Sequence, residues 1–270
     1  MRFSAYSGLT ISLVCLVAGA AQAQSVDEVA VKATLTHLDE TASRCDVDGM
    51  LTRYSPNFKS KDGLNVEATR KAFTSLCAKI DKPMYRSEVR SVKKLPKGVL
   101  QVVTTTNMTA TYRTELPKPA QLVSTVESLN RFESVKGVLK LVGQEILAEN
   151  TTISIGEKPP RVNLNLPTMV KPGRDFKIEA ILPTPLQDSP ALGGISLTPI
   201  NAKTSTTLQM PTLEALRSGG IFKTGQAPSR QEDQSLTLAF VQDGGMILVS
   251  QRLRVTSAEP PVNSSPSKSE

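Results

Sequence analysis

Few side chains in this sequence can carry chemistry, and their spacing is informative mainly through what it excludes. The chain holds one histidine, His37, and three cysteines, Cys15, Cys45 and Cys77. Zinc sites draw three or four ligands from Cys, His and carboxylates, so no metal centre is expected. Neither a Gly-rich phosphate loop nor a nucleophile motif is present in the sequence, and no cofactor is expected. Proton transfer needs a carboxylate or His as base and a donor such as Tyr to hold a developing oxyanion. Tyr54, Asp62 and His37 are the residues of those types to weigh. Each has a plainer reading. Lys61-Asp62-Gly63 is turn chemistry, and Tyr54 can brace a helix entry. His37 adjoins the apolar Leu38 with no second partner at ligand spacing. Tyr112, Glu127 and Glu145 lie in strand-like stretches and are further polar candidates.

The densest charge lies between Lys79 and Lys97. Lys82, Arg86, Arg90, Lys93, Lys94 and Lys97 face only Asp81 and Glu88 in opposition. On a regular strand Arg86, Arg90 and Lys94 share one side, which suits a polyanion or an anionic surface. The plainer reading is an exposed strand guarded by positive charge. Aromatic residues are 4% of the chain and Trp is absent. A stacking face for nucleic acid is therefore not expected.

The elements that position these residues can be read in order. Arg2, the apolar run Leu9 to Ala20 and Ala21-Gln22-Ala23 form a signal peptide over 1–23, with an A-x-A cleavage site. The net charge is +7, and cleavage removes one cation, Arg2. No window is apolar enough for a transmembrane segment. Export places Cys45 and Cys77 in an oxidising compartment, where a disulfide between them can form. Ser25 and Glu28 make a capping box for a helix whose apolar stripe runs Val31, Leu35, Leu38, Ala42 and Cys45. Asp46-Val47-Asp48-Gly49 reads as a stop, followed by a short helical stretch over 50–54. The Asp62 turn closes a small hairpin over 58–64. Asn65 caps a second long helix carrying Val66, Phe73, Leu76, Cys77 and Ile80.

The period then changes to two. Strands are expected over 86–94, 99–115, 120–135 and 138–149, antiparallel because their turns are short. The second of these is long enough to need a bend or a bulge. Gly156-Glu157-Lys158-Pro159-Pro160 reads as a linker. Short strands near 162–166, 176–180, 192–200, 221–224, 235–242 and 246–255, with one helical turn at 213–217, suggest a β-sandwich over 161–256. Residues 257–270 are Ser-, Pro- and charge-rich and read as disordered.

The order helix, short helix, hairpin, helix and four long strands resembles the nuclear-transport-factor-2-like superfamily over residues 25–150, within a domain expected over 25–155. Asp46-Val47-Asp48-Gly49-Met50 and Tyr54-Ser55-Pro56-Asn57-Phe58 are similar to the acidic turn and Tyr–x–x–Asp/Asn–Phe segment common there. The whole chain also resembles exported cyanobacterial proteins of unassigned function. The resemblance implies an α+β cone, in which a curved antiparallel sheet wraps helices around a pocket. It puts Asp62 near the position of a ketosteroid isomerase base. It also packs both long helices on one sheet, and on that ground Cys45 and Cys77 are expected to be bonded. The superfamily holds isomerases and dehydratases beside binding modules, so fold does not choose between them. The expectation is an exported, periplasmic or extracellular protein (thylakoid-lumenal in a cyanobacterium). It would bind a small apolar ligand or a protein partner, not nucleic acid. An isomerase or dehydratase, a polyanion binder and a homodimer remain open.

Overall fold

The computed structural model describes residues 26–114, 120–183, 190–204 and 209–257. The signal peptide, Ser25, the turn at 117–119 and the tail from 258 onward lie outside them.

The N-terminal half is a helical layer on a curved sheet. Helix α1 spans Val26–Ser43, α2 Val47–Leu51 and α3 Val66–Cys77. Strands β1 (Tyr54–Ser60), β2 (Ile80–Lys94), β3 (Leu100–Tyr112), β4 (Ala120–Val135) and β5 (Val138–Gly156) follow the expected order. Neighbours β2 to β5 pair antiparallel, and β1 pairs parallel with β5. Bulges at Val89/Ser91 and Glu127/Ser128 supply the bend that such long strands require. Val31 and Leu35 of α1 meet Phe58, Leu100, Val102, Phe132 and Leu141 in a buried core.

Local chemistry explains the turns. The first helix ends in a Schellman motif: the N–H of Asp46 donates to Thr41 O and that of Cys45 to Ala42 O. Cys45 therefore lies just past the helix, at φ 53°, and not on its apolar stripe as expected. The acidic tetrad does not merely stop α1. Asp46 caps α2, accepting from the N–H of Gly49 at 2.9 Å. A Cβ at Gly49 would sit 2.1 Å from an Asp46 carboxylate oxygen. Gly49→Ala is thus expected to break this cap and cost about 1 kcal/mol, read from the urea midpoint. Asn65 caps α3 as expected, accepting from the N–H of Ala68 at 2.8 Å.

The C-terminal half continues the same sheet. Strands β6 (Asn163–Asn165), β7 (Met169–Val170), β8 (Asp175–Ile181), β9 (Leu192–Pro199), β10 (Glu214–Ala215), β11 (Gly220–Gln226), β12 (Gln234–Gln242) and β13 (Gly245–Val255) complete the fold. The expected helical turn at 213–217 is instead the site of β10, which pairs with β9. The expected end of β5 near 149 is also corrected. Asn150–Gly156 extend it, because they pair antiparallel with Gly245–Gln251 of β13. One ten-stranded sheet results: eight strands run in the order β10-β9-β12-β13-β5-β4-β3-β2, with β1 joined to β5 and β7 to β13 beside that path. A second sheet, β11-β8-β6, packs over the face of β12 and β13 that points away from the helices. Phe176, Ile178 and Ile221 there meet Leu236, Leu238, Phe240 and Leu253. The overall class is α+β with a curved antiparallel sheet.

Candidate functional site

Alternation along the strands builds the site. Met108, Leu122, Ile153 and Leu248 lie on the helix-facing side and form an apolar floor. Helix α3 covers this floor without sealing it. None of its residues is buried, although Phe73 and Leu76 point inward. The space between is a pocket of about 370 Å³, lined by Ala72, Phe73 and Leu76 above and Met108, Leu122 and Ile153 below. That volume suits a small organic ligand. Ile200 and Thr204, beyond β9, contribute to the wall, so both halves of the chain shape the pocket.

Hydroxyls cross the floor in register. Ser124, Thr151, Ser250 and Thr237 occupy paired positions on four successive strands. Ser124 and Thr151 bond at 2.8 Å, and Ser235 and Ser250 at 3.0 Å. Thr106 is tied through Ser87 to Asp39 of α1, with both bonds under 3 Å. Burial pushes the Asp39 carboxyl up, against the pull of the Ser87 hydrogen bonds. Tyr85 and Tyr112 also line the pocket. Burial drives the Tyr85 phenol up to about 12, so it stays protonated at neutral pH.

The polar end is set by Arg252 of β13. Its side chain is 2% exposed. Asp62 accepts from both terminal nitrogens, at 2.6 and 3.1 Å, and Asp233 accepts at 3.0 Å. Glu149 stands 4.0 Å from the same guanidinium and keeps 38% of its side-chain surface open. Burial works against the charge of Arg252, but its three carboxylates outweigh that and hold it ionised. Glu149 is the pocket-lining carboxylate. Burial pushes its carboxyl up, Arg252 pulls it back, and Asp62 adds to the rise.

A raised carboxyl pKa means that the folded state favours the neutral form. This contribution is most favourable below the unfolded value near 4.5 and is lost as pH rises through the folded pKa. Glu149→Gln is therefore expected to flatten the loss of stability between pH 4.5 and neutrality. Thermal melts of both proteins across that range would show the difference.

The residues singled out from sequence fall in several places. Asp62 is the tight partner of Arg252, an ion-pair role that fixes the hairpin to β13. Tyr54 packs edge-on to Phe58 at 4.8 Å, outside the pocket lining, and burial raises its phenol to about 12. His37 Nε2 lies 3.1 Å from Gly49 O and 3.2 Å from Thr52 Oγ1, joining α1 to α2. Thus Tyr54, Asp62 and His37 are not brought together. Glu127 is exposed, and Glu145 bonds both Lys61 and Arg254. Cys45 and Cys77 form the expected disulfide, with Cα atoms 5.9 Å apart.

The basic stretch needs one correction. Arg86, Arg90 and Lys94 do not share a side. The Val89/Ser91 bulge shifts the register, so Arg86 pairs with Asn107 on the outer face while Lys94 pairs with Leu100, whose side chain is in the core. Lys94 bonds Asp27 of α1 at 2.9 Å, and Arg90 bonds Thr105 at 2.9 Å. Lys82, Arg86, Lys93 and Lys97 remain exposed along this edge of the sheet.

Glu149 and Arg252 were missed in the sequence. The available signal was an Arg at an inward position of a strand otherwise filled by Met246, Leu248 and Ser250. Among the described residues, no helix is long and apolar enough to cross a membrane.

Residues 157–256 match a family described as a domain of unknown function, DUF8623. No protein in the curated set matches the chain. Solved structures similar to it are nuclear-transport-factor-2-like and cystatin-like proteins. One is a putative scytalone dehydratase from Novosphingobium aromaticivorans, 10% identical, covering 45% of this chain and 83% of its own, with a TM-score of 0.40. Another is a ketosteroid isomerase-like protein from Erwinia carotovora atroseptica, 14% identical, covering 46% and 96%, with a TM-score of 0.35. A protein of unknown function with a cystatin-like fold from Nostoc punctiforme is 12% identical, covering 46% and 91%, with a TM-score of 0.34.

Proposed function

We propose that this is an exported binding protein whose pocket between α3 and the sheet holds a small, mainly apolar ligand. The observation that carries the reading is the cavity of about 370 Å³ with Phe73, Leu76, Met108, Leu122 and Ile153 on its walls. Unfilled apolar walls favour an apolar guest, because burying its surface gains about 25 cal/mol per Å². The disulfide supports export, since such bonds persist in oxidising compartments. Native mass spectrometry of protein purified from its own host tests the reading. A bound small molecule is expected, and it should be absent from Ala72→Phe, whose larger side chain fills the space. Ligand-free wild-type protein that also fails to take up apolar probes would overturn it.

A second reading has its own observation. Glu149 is a pocket carboxyl pushed upward by burial, the property that suits a general acid or base. On this reading the protein is an isomerase- or dehydratase-type enzyme using Glu149, in place of Tyr54 or Asp62. The two readings part on the fate of the ligand. Recovery of the bound molecule chemically unchanged after prolonged incubation, judged by NMR, favours binding alone. Conversion that stops in Glu149→Gln favours the enzyme.

A further inference from the structure

The polar end of the pocket carries an uneven charge account that the apolar walls do not explain. Arg252 is one cation among three carboxylates, Asp62, Asp233 and Glu149. The two aspartates take its close hydrogen bonds, at 2.6 to 3.1 Å. Glu149 is left with a 4.0 Å approach and an open surface. The guanidinium itself shows the cavity almost nothing, at 2% exposure. The neighbouring Lys61 and Arg254 are both held by Glu145. The α3 residues over the pocket, Thr69, Ala72, Phe73, Ser75 and Leu76, carry no charge. The pocket's other cation, Lys79, adjoins Ile80, which pairs with Tyr112. Glu149 belongs to the row of Val126 and Thr106, six residues along β3 from Tyr112. At roughly 3.3 Å per residue this places the two ends about 20 Å apart.

We propose that the pocket is built for a small lipophilic cation, an aromatic or alicyclic amine, whose ammonium is seated on the Glu149 carboxylate while its apolar body lies between α3 and the sheet. This deepens the binding reading and rests on it. An ammonium at Glu149 reduces the excess of negative charge that Arg252 alone leaves. It also supplies the donors that the carboxylate lacks on its open side. A neutral ligand of the same shape would desolvate the carboxylate and leave it only the distant Arg252 as a counter-charge. An anionic ligand would add a fourth negative charge beside three.

The test uses three fluorescent probes of one shape: 1-naphthylmethylamine, 1-naphthalenemethanol and 1-naphthoate. Each is titrated into the full-length mature protein at pH 8, by calorimetry and by fluorescence. The amine is expected to bind about tenfold or more tightly than the alcohol, a difference of about 1.4 kcal/mol, and the carboxylate most weakly. In Glu149→Gln and in Glu149→Ala the advantage of the amine should vanish, because the amine loses its counter-charge and the alcohol no longer desolvates a carboxylate. Circular dichroism melts confirm that both variants fold. Equal binding of amine and alcohol by the wild type, or tighter binding of the naphthoate, overturns the inference and leaves the apolar pocket standing. Loss of binding of all three by folded wild-type protein overturns both.

Discussion

Arg252→Met should lower the unfolding free energy by about 3–5 kcal/mol, the range for removing one partner from a buried ion pair. Methionine fills much of the same space, so the loss comes from charge and not from a cavity. What stays behind is the damage: Asp62, Asp233 and Glu149 would face one another with no cation. Asp62 and Asp233 side chains are only 12% and 17% exposed, so water cannot take over the role of Arg252. Asp233 also accepts from the N–H of Val255, at 3.1 Å, and so would stay near the vacated site. Urea unfolding at pH 7 is the direct measurement. Acid should partly rescue the variant, since protonating any of the three carboxylates relieves the repulsion. A loss below about 1 kcal/mol, the level of an exposed pair, would mean that the cluster is solvated.

Removing the crosslink should have the next largest effect. Cys45 and Cys77 are 32 residues apart. Cys45→Ser/Cys77→Ser is expected to cost about 3–4 kcal/mol in the chain-entropy model. The position of Cys45 provides a control. It occupies the left-handed site of the Schellman motif, where glycine is the usual residue. Cys45→Gly/Cys77→Ser should therefore recover up to about 1 kcal/mol relative to the double serine variant. The loss should fall most heavily on α3, which has no buried residue to hold it. Its remaining polar ties are exposed ones, such as Arg70 to Asp48. Hydrogen exchange should show α3 opening before the sheet in the reduced protein. Uniform protection of α3 and the sheet would show that the helix is held by packing alone.

Much of the first half was legible because its signals are local. Asn65 before Val66 announced a cap, and the alternation from Leu100 to Tyr112 announced β3. The pairing of Cys45 with Cys77 followed once the cone was supposed. What escaped was contact across long separations. Asp62 and Arg252 lie 190 residues apart, and nothing near either residue names the other. Asp62 looked like a turn residue, which it is, and like a base, a role its tight Arg252 pairing makes unnecessary to explain its presence. The end of β5 was misplaced for the same reason. Residues 150–156 are held in the strand by their pairing with β13, a partner about 100 residues away. The bulge at Val89/Ser91 hid in a regular-looking run and moved Lys94 to the other face from Arg86.

The shared sheet has a consequence for how the chain resists self-association. One side of β5 is divided between two partners: β1 takes Leu141 to Gln144, and β13 takes Asn150 to Gly156. Without β13, the second stretch, with Ile153 and Ile155 in it, would present bare backbone donors and acceptors beside apolar side chains. Such an edge templates pairing with another chain. The C-terminal half thus covers what would otherwise be an open edge of the N-terminal sheet. The ends of the sheet's main path are β2, rich in Lys and Arg, and β10, only two residues long. Both are poor templates, so the protein keeps its open ends where they do least harm.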